Sequence, residues 1–323
     1  MNNFNDLQKL VENQINTLNF DLEPDNLYKP IEYSLSSGGK RIRPVLALMA
    51  YELYRYDVEE AVKPATGLEV FHNFTLLHDD VMDKSDMRRG KPSVHKKYNL
   101  DIALLSGDAM SILATSLINQ APRNQQKIMQ AFTRAALDVC EGQQYDMDFE
   151  SREFISEDDY LKMISLKTSA LLAVSLKTGG LMADAPYQDI DALYKMGLSL
   201  GLGFQLQDDW LDCFGNQAKF GKPIGKDILN QKKTLLWIEA HEKAEETDKK
   251  RMQNIIKDTS LNNEKKVDTV LGIYNKLGIP EQTRNTISSC FDEAESYLSK
   301  LSVADTKKTI LRDFIRYIKN RTY

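Results

Sequence analysis

The chain has 323 residues, 42% of them hydrophobic and 28% charged, and carries a formal net charge of -5. This composition is typical of a globular protein that can bury a large core, and the acidic balance argues against nucleic-acid binding, which requires a basic surface. No apolar run approaches the ~18 residues needed to cross a bilayer, so we expect no transmembrane segment.

Two further features indicate the compartment. The first residues, MNNFNDLQKLVENQINTL, are polar and amphipathic, unlike a secretory signal. Cys140, Cys213 and Cys290 form an odd, scattered set without metal-ligand spacing. Free thiols in a reducing compartment account for this pattern, so we expect a cytoplasmic protein.

Helical periodicity runs through the chain. Apolar residues recur every three or four positions, as in RPVLALMAYELY, IALLSGDAMSILATSLI and KTSALLAVSLKTGGLMA, whereas the short alternating runs typical of strands are hard to find. We expect the prolines to fall between these segments, where helix starts and connections tolerate them. No Ser/Gly linker or solenoid repeat divides the chain. The sequence therefore predicts an all-α fold of about ten or more helices without a sheet, in a single domain spanning residues 1–323.

The first unusual element is FHNFTLLHDDVMD, residues 71–83, a predicted helix that begins apolar and ends in aspartates. Asp79 and Asp83 lie one turn apart on one helix face, and Asp80 widens the acidic patch. Like charges at this spacing repel unless a cation bridges them, and Mg²⁺ is commonly held by one or two carboxylates plus substrate phosphates. Taken alone, the triplet is equally compatible with a solvated acidic surface.

A second stretch repeats the pattern. GFQLQDDWLD, residues 203–212, places Asp208, Asp209 and Asp212 after a mostly apolar approach. Two such helices facing each other could hold a metal cluster, and the recurrence weakens the explanation by solvated surface.

Basic residues accompany the acidic ones. SGGKRIRP places Lys40, Arg41 and Arg43 behind two glycines at a predicted helix start, where backbone N–H groups and the helix dipole favour an anion. MRRGKP adds Arg88 and Arg89 directly after the first acidic patch. Each basic group alone could serve solubility. Beside the acidic patches they indicate a site for a metal-bound polyphosphate, because arginine forks suit phosphate oxygens.

In this order and spacing, GGKRIRP, LLHDDVMDKSDMRRGKP and QLQDDWLD resemble the trans-isoprenyl diphosphate synthases, which include the farnesyl, geranylgeranyl and longer polyprenyl diphosphate synthases. The resemblance implies an all-α fold of antiparallel helices around a central catalytic cavity, usually in a homodimer. It also implies that isopentenyl diphosphate is joined head to tail to an allylic diphosphate, with release of pyrophosphate. That departing pyrophosphate acts as the base in the family, so no dedicated histidine is needed.

The resemblance also assigns the metal and allylic sites. Both aspartate motifs match, which implies a Mg²⁺ cluster, of three ions in the family, bound with the allylic diphosphate by Asp79, Asp80, Asp83, Asp208, Asp209 and Asp212. Arg88 matches the arginine that helps to bind this diphosphate. Lys167 and Thr168 match the family's Lys-Thr pair, and Lys222 and Lys232 match lysines of its flexible loop.

The remaining assignments concern the second substrate and the reacting carbons. The isopentenyl diphosphate pocket of the family maps onto Lys40, Arg43, His72 and Arg89. Phe204 and Gln205 match the Phe-Gln pair before the second motif, and Gln143 and Asp146 fit a supporting polar shell. Besides the aspartates, Lys167, Thr168 and Gln205 are expected to offer oxygens or dipoles near the allylic cation.

The histidines need separate interpretation. His72 could be a satisfied histidine at a helix edge, but on a helical wheel it lies about 20° from Asp79, which favours phosphate binding. His78 and His95 have no such support and are interpreted as structural.

Two residues before the first motif bear on product length. In the family, bulky residues four and five positions before the first aspartate form a floor, and here those positions hold Thr75 and Phe74. One small and one bulky residue resemble the geranylgeranyl-type synthases more than the farnesyl type. The resemblance therefore favours a twenty-carbon product, with fifteen carbons as the alternative.

Two other functions fit part of the pattern. A class I terpene cyclase shares the first aspartate motif, but its second metal motif has an Asn-x-x-x-Ser-x-x-x-Glu character. A non-catalytic regulatory subunit of a heteromeric synthase typically lacks one aspartate motif, whereas both are intact here.

Overall fold

The computed structural model describes residues 2–215 and 224–321. This part of the chain is predominantly helical and has almost no strand, which confirms the predicted all-α class. The helices up to residue 151 are α1 (Phe4–Asn16), α2 (Asp25–Leu35), α3 (Ile42–Glu52), α4 (Glu59–Met82), α5 (Val94–Lys97), α6 (Leu100–Ile118) and α7 (Gln125–Ser151). The later helices are α8 (Glu157–Ile164), α9 (Ala170–Met182), α10 (Tyr187–Phe214), α11 (Lys226–Leu229), α12 (Leu235–Lys243), α13 (Glu246–Lys257), α14 (Asn263–Lys276), α15 (Ile279–Ser299) and α16 (Asp305–Lys319).

Side-chain caps begin several of these helices. Asn3 and Ser156 form capping boxes at the starts of α1 and α8, and Asn99 and Asn262 cap α6 and α14. Each cap satisfies a backbone N–H that has no partner within the helix. A π-helical segment, Ser165–Ser169, separates α8 from α9. Such wider turns are often found at functional sites, and this one contains two predicted site residues.

The expectation of no sheet is wrong at one place. MRRGKP forms a two-stranded antiparallel hairpin, with β1 (Met87–Arg88) paired to β2 (Lys91–Pro92). The two residues between the strands, Arg89 and Gly90, have φ angles of 51° and 77°. Positive φ at both central positions is the mark of a type I′ turn, whose twist matches that of the paired strands.

The contacts of the described chain group into two compact units. Unit 1 consists of Met1–Arg134, Leu171–Tyr194 and Ser299–Leu311, and unit 2 of Ala135–Ala170, Lys195–Leu298 and Arg312–Tyr323. The boundaries fall inside α7, α9, α10, α15 and α16. The interpretation as a single domain stays a prediction.

Each unit has its own apolar core. In unit 1, α4 packs along α6 and also contacts α1 and α3. A Cβ on Gly179 of α9 would lie 2.1 Å from the carbonyl oxygen of Ala47, so α9 passes α3 at backbone contact. In unit 2, the buried side chains of Leu236, Met252 and Tyr274 belong to one cluster that joins α12, α13 and α14.

Helix α6 has an unusual composition. It is 19 residues long with a mean hydropathy of 1.4 in its most apolar window, of which 39% is buried. By length and composition it is the one described helix that reaches the limit for a membrane span, so the expectation that no run approaches this length is wrong for α6. The signal is weak, because core helices of other proteins meet the same limit, and no clear transmembrane segment is present in the described ranges.

Candidate active site

The first acid cluster lies at the carboxyl end of α4. Asp79 and Asp80 belong to its last turn, Asp83 caps it, and Lys84 with φ 52° ends the helical path. The negative end of the helix dipole opposes carboxylates here. The carboxylates of this cluster are therefore destabilised by one another and by the helix dipole, and the cluster requires nearby positive charge.

The hairpin supplies that charge. Arg88 Nε donates to Asp80 Oδ1 at 2.9 Å, and Arg88 Nη2 lies 2.5 Å from the same oxygen and 3.4 Å from Asp79 Oδ2. Burial raises the pKa of Asp80, and the Arg88 guanidinium opposes that rise. The structure thus places Arg88 against the first acid cluster, where a diphosphate oxygen could replace a carboxylate as its acceptor.

The residues assigned to isopentenyl diphosphate come together in unit 1. His72 lies on α4, Arg43 in the first turn of α3, Lys40 in the turn before α3, and Arg89 in the hairpin. Burial, and then the positive charges of Arg43 and Arg89, hold the pKa of His72 well below its usual value. His72 is therefore neutral near pH 7 and can donate one N–H to an anion.

Arg43 occupies a partly desolvated position in this group. Burial lowers its pKa to about 10, with Glu69 opposing the shift and Arg89 adding to it. Its Nε atom is buried and has no hydrogen-bond partner among the described residues. A guanidinium with unused donor capacity beside a neutral histidine suits a phosphate oxygen.

The second acid cluster lies near the end of α10 in unit 2. Asp209 is 3% exposed, and it accepts hydrogen bonds from the Tyr160 hydroxyl and from Gln205 Nε2, the latter at 2.9 Å. Asp212 Oδ2 accepts the backbone N–H of Asp227 at 3.0 Å. Burial raises the pKa of Asp209 to about 7 and that of Asp212 to about 6, while Lys232 opposes both shifts.

Asp208 has a different environment. Its side chain is 40% exposed and forms an ion pair with Arg321, whose guanidinium carbon also lies 4.4 Å from the centre of the Phe204 ring. The carboxyl-terminal segment that carries Arg321 is held by Gln207, because Gln207 Nε2 donates to the carbonyls of Lys319 and Arg321. Arg321 is a site neighbour that the sequence motifs did not indicate.

The Lys-Thr pair lies in the π-helical segment of unit 2. Lys167 Nζ is 2.6 Å from Asp146 Oδ2, and the Thr168 hydroxyl donates to Gln205 Oε1 at 3.1 Å. A Cβ on Gly142 would lie 2.3 Å from the backbone nitrogen of Lys167, so α7 approaches this segment closely. Thr168, Gln205, Asp209 and Tyr160 thereby form one continuous chain of hydrogen bonds.

The two predicted loop lysines are Lys222 and Lys232. Lys222 lies outside the described residues. Lys232 follows α11, and its backbone N–H donates to the carbonyl of Asp227 at 2.9 Å. Its charge acts on both Asp209 and Asp212, which places it beside the second acid cluster.

The predicted floor residues lie on α4. The Phe74 ring contacts those of Phe71 and His78, with centroids 5.3 and 4.8 Å away, and the Thr75 hydroxyl donates to the His72 carbonyl. His78 Nε2 lies 3.1 Å from the carbonyl oxygen of Leu104 on α6. These contacts support the structural interpretation of His78.

Metal binding depends on the oxygen donors. No group of three His, Cys, Asp or Glu side chains among the described residues is arranged to hold a metal ion by itself. Mg²⁺ is usually bound by one or two carboxylates with substrate phosphates and water completing its octahedron. Asp79 and Asp83 in unit 1, and separately Asp208 in unit 2, offer the more exposed carboxylate oxygens for that manner of binding.

Two residues escaped the sequence motifs because their signals are indirect. Tyr160 is fully buried and supports Asp209 from 49 positions away. Glu69 is a charged residue inside the apolar run TGLEVF, and it is 1% exposed. A lone carboxylate in an apolar helix is a sequence signal in itself, because it requires a buried partner.

Comparison with known proteins identifies the family. The family model described as polyprenyl synthetase matches residues 24–274. The short chain isoprenyl diphosphate synthase of Methanocaldococcus jannaschii is 40% identical over 242 residues, 74% of each chain. The geranylgeranyl diphosphate synthase of Sulfolobus acidocaldarius is 41% identical over 229 residues, 69% of each chain. A crystal structure of a geranylgeranyl pyrophosphate synthase, 37% identical, superposes with a TM-score of 0.93 over 100% of both chains.

Other relatives include a geranylfarnesyl and a farnesyl diphosphate synthase. The family match covers most of the chain, and the likeness extends to the whole fold. The chain belongs to the polyprenyl synthetase family, and it is a trans-prenyltransferase of the isoprenyl diphosphate synthase type with the all-α isoprenoid synthase fold.

Proposed function

We propose that this chain condenses isopentenyl diphosphate head to tail with an allylic diphosphate, giving a twenty-carbon all-trans prenyl diphosphate and pyrophosphate. The observation that carries the proposal is the neutral His72 among Arg43, Arg88 and Arg89 in the unit that also holds the first acid cluster. That arrangement offers one anion site away from the motif aspartates and another beside them. A fifteen-carbon product is the second candidate.

Mg²⁺, when bound with the allylic diphosphate, would neutralise the charge that grows on the leaving group. We assign Asp79, Asp83 and Asp208 to it first, because their side chains are more exposed than those of Asp80 and Asp209. The buried carboxylates contribute negative potential and hold their neighbours in place. Asp212 is the remaining candidate ligand.

The two diphosphates are assigned to different cations. Arg88, which already contacts Asp79 and Asp80, is assigned to the allylic diphosphate. Lys40, Arg43, His72 and Arg89 are assigned to isopentenyl diphosphate, which they can bind without a metal because together they supply positive charge and N–H donors. Lys222 and Lys232 are proposed to act on the allylic side.

The allylic cation must be shielded from water after the C–O bond breaks. Thr168 and Gln205 offer fixed dipoles, because each is held by a hydrogen bond within unit 2. Lys167 is fixed by Asp146 and Phe204 by its contact with Arg321. We propose that these four side chains surround the reacting carbons, and that the departing pyrophosphate takes the proton.

Product length is assigned to the helix face before the first motif. Phe74 is held between Phe71 and His78, which makes it a rigid obstacle, while Thr75 is small. The relatives named as geranylgeranyl diphosphate synthases support the twenty-carbon product, and the farnesyl and geranylfarnesyl synthases mark the neighbouring lengths.

We further propose a cytoplasmic homodimer. Several apolar side chains of α6 are exposed in the single chain, namely Leu100, Leu104, Leu105 and Ile112. A second copy would bury this face, which is the arrangement that the family resemblance leads us to expect. All three cysteines are free thiols, which supports a reducing compartment.

One assay tests the reaction and its two rivals. The purified chain is given isopentenyl diphosphate, geranyl or farnesyl diphosphate and Mg²⁺, and pyrophosphate and product length are measured. The proposal expects pyrophosphate release that needs both substrates, with a twenty-carbon main product. Release from the allylic substrate alone would indicate a terpene cyclase. Absence of release, with stimulation of a separate synthase, would indicate a regulatory subunit.

A further inference from the structure

A buried carboxylate that the proposed chemistry does not use lies among the residues assigned to isopentenyl diphosphate. Glu69 of α4 is 1% exposed, three positions before His72. Its Oε1 accepts hydrogen bonds from Arg41 Nη1 at 2.9 Å and from Asn73 Nδ2 at 3.0 Å. A buried charge is tolerated only with such partners, so the positions of Glu69 and Arg41 depend on each other.

Arg41 connects two other helices of unit 1 to this carboxylate. Its side chain is 1% exposed, and Nη2 donates to the carbonyl of Leu35 at the end of α2 at 2.7 Å. Its Nε donates to Glu12 of α1 at 2.9 Å. Arg41 is therefore not a phosphate ligand in this arrangement. It fastens its own backbone to α1, α2 and α4.

The backbone that Arg41 fastens is an unusual one. Gly38, Gly39 and Arg41 have φ angles of 76°, 135° and 49°, and Arg41 directly precedes α3. The left-handed region is strained for arginine, so this turn persists only where other contacts determine it. Lys40 lies inside the turn, and Arg43 lies two residues after it. The position of both cations therefore follows from the contacts of Arg41.

Arg89 depends on the same turn. Its Nη1 donates to the carbonyl of Gly38, and a Cβ on Gly39 would lie 2.7 Å from that nitrogen. Glu69 also compensates charge, because it opposes the effect of burial on the pKa of both Arg43 and Arg89. One carboxylate thus balances part of the repulsion among three arginines.

We infer that Glu69 is a positioning residue for the binding of isopentenyl diphosphate. Glu69 holds Arg41 and thereby the turn at residues 38–41, so that Lys40, Arg43 and Arg89 are presented to one diphosphate. The inference rests on the proposed function and adds to it a residue that touches no substrate.

Glu69→Gln tests this role, because it keeps the shape and removes the charge. We expect the KM for isopentenyl diphosphate to rise roughly tenfold or more, since a small misplacement of binding groups is costly. The KM for the allylic diphosphate should change less than about twofold, because Arg88 and the aspartates do not contact Glu69. Calorimetric titration with isopentenyl diphosphate in EDTA should show the same loss of affinity without any metal.

Glu52→Gln is the matched control. Glu52 is a carboxylate of α3 with 4% exposure, and it accepts hydrogen bonds from Asn2. Both variants should lower the Tm, but only Glu69→Gln should weaken binding of isopentenyl diphosphate. If the two variants lose stability alike and bind isopentenyl diphosphate like the wild type, Glu69 is purely structural and the inference is wrong. If the wild-type chain itself does not bind isopentenyl diphosphate, the proposed function and the inference fall together.

A double variant decides the matter if Glu69→Gln does not fold. Replacing both partners, Arg41→Met with Glu69→Leu, removes the buried pair and leaves only Glu12, whose side chain is 36% exposed and can be solvated, so stability is often preserved. The folded double variant should still bind isopentenyl diphosphate roughly tenfold more weakly, because the turn is no longer fastened. Wild-type affinity in this variant would overturn the inference.

Discussion

At the scale of single residues, the motif aspartates are of two kinds. Asp80 and Asp209 are each 3% exposed, whereas the side chains of Asp79 and Asp208, which Arg88 and Arg321 contact, are 19% and 40% exposed. The same residue type is thus fully buried at one position and partly open to solvent at the next. The sequence motif alone does not distinguish these two environments, because the burial of each aspartate depends on the helix face on which it lies.

Removal of an exposed motif aspartate should abolish most turnover. Asp79→Ala or Asp208→Ala is expected to lower kcat by about 10²–10³-fold, because each removes a group that counters charge developing in the transition state. The Tm should change little. Asp101→Ala, at an exposed position of α6, should behave like the wild type. Near-normal kcat of either motif variant at saturating Mg²⁺ would refute the metal assignment.

Product length should respond to the two residues before the first motif. Phe74→Ala should lengthen the main product by one or more five-carbon units, because the aromatic obstacle is removed, and Thr75→Phe should shorten it. Chromatography of the extracted products measures both. Phe291→Leu, at a buried aromatic position of α15, should leave the length unchanged. Identical product distributions for Phe74→Ala and Thr75→Phe would place the floor elsewhere.

His72 should make stability depend on pH. Its pKa is lowered in the folded chain, so the neutral form stabilises the fold above the unfolded value near 6.5, and this contribution is lost as the pH falls. At pH 5.5 the loss reaches up to about 1.4 kcal/mol. Tm measured in EDTA between pH 7.5 and 5.5 should therefore fall less for His72→Gln than for the wild type. His95→Gln is the control; equal slopes in all three proteins would contradict the assignment.

At the scale of elements, the contact of α4 with α6 determines where the first motif lies. His78 is fixed by the Phe74 ring and the Leu104 carbonyl, and a Cβ on Gly107 would lie 2.2 Å from its Nε2 atom. Only glycine leaves room for the imidazole here. The pairing of His78 with Gly107 sets the approach of α6 to the turn that precedes Asp79.

Gly107→Ala should therefore destabilise the protein. Overpacking at a fixed side chain costs about 1–3 kcal/mol. Urea unfolding should reveal this loss, and His78→Ala in the same chain should restore part of it by vacating the space. Gly272→Ala is a matched helical control with nothing within 4 Å of the new methyl group, so it should stabilise by about 0.5–1 kcal/mol. An unchanged urea midpoint for Gly107→Ala would show that α6 can shift to accommodate the added methyl group.

Helices and motifs were predictable from the sequence to different degrees. Apolar periodicity and the aspartates near their ends made α4 and α10 predictable. The hairpin was missed because its turn places a left-handed arginine before glycine, a conformation that arginine seldom adopts. Tyr160 and Glu69 were missed because their partners lie 49 and 28 positions away, and such pairs are created only by folding.

At the scale of the whole molecule, the chain is acidic, with a net charge of -5, yet it gathers at least four basic side chains around His72. The apolar surface is similarly uneven, because α6 leaves Leu105 and Ile112 61% and 72% exposed, one heptad apart on the same helix face. Isolated exposed apolar residues are ordinary, but a row of them along one helix marks an interaction surface.

The proposed homodimer can be tested on this row. Ile112→Glu, alone or with Leu105→Glu, should convert the dimer to monomer, because burial of an unpaired carboxylate in an apolar interface is costly. Light scattering after size-exclusion chromatography gives the mass directly. Tyr187→Glu changes an isolated exposed aromatic residue and should leave the mass unaltered. Dimers of undiminished stability in the α6 variants would assign the interface to another surface.

The hairpin at residues 87–92 constrains how this sequence can vary. Arg88 donates to Asp80, and its neighbour Arg89 donates to the carbonyl of Gly38. The side chains of two adjacent arginines therefore have different partners. In the proposed reaction they serve different diphosphates. Since a shift of one residue turns every side chain of a strand to the other face, an inserted or deleted residue in the segment 84–88 would exchange the two arginines. This short surface connection, of a type that usually tolerates length changes, should therefore accept substitutions but no change of length.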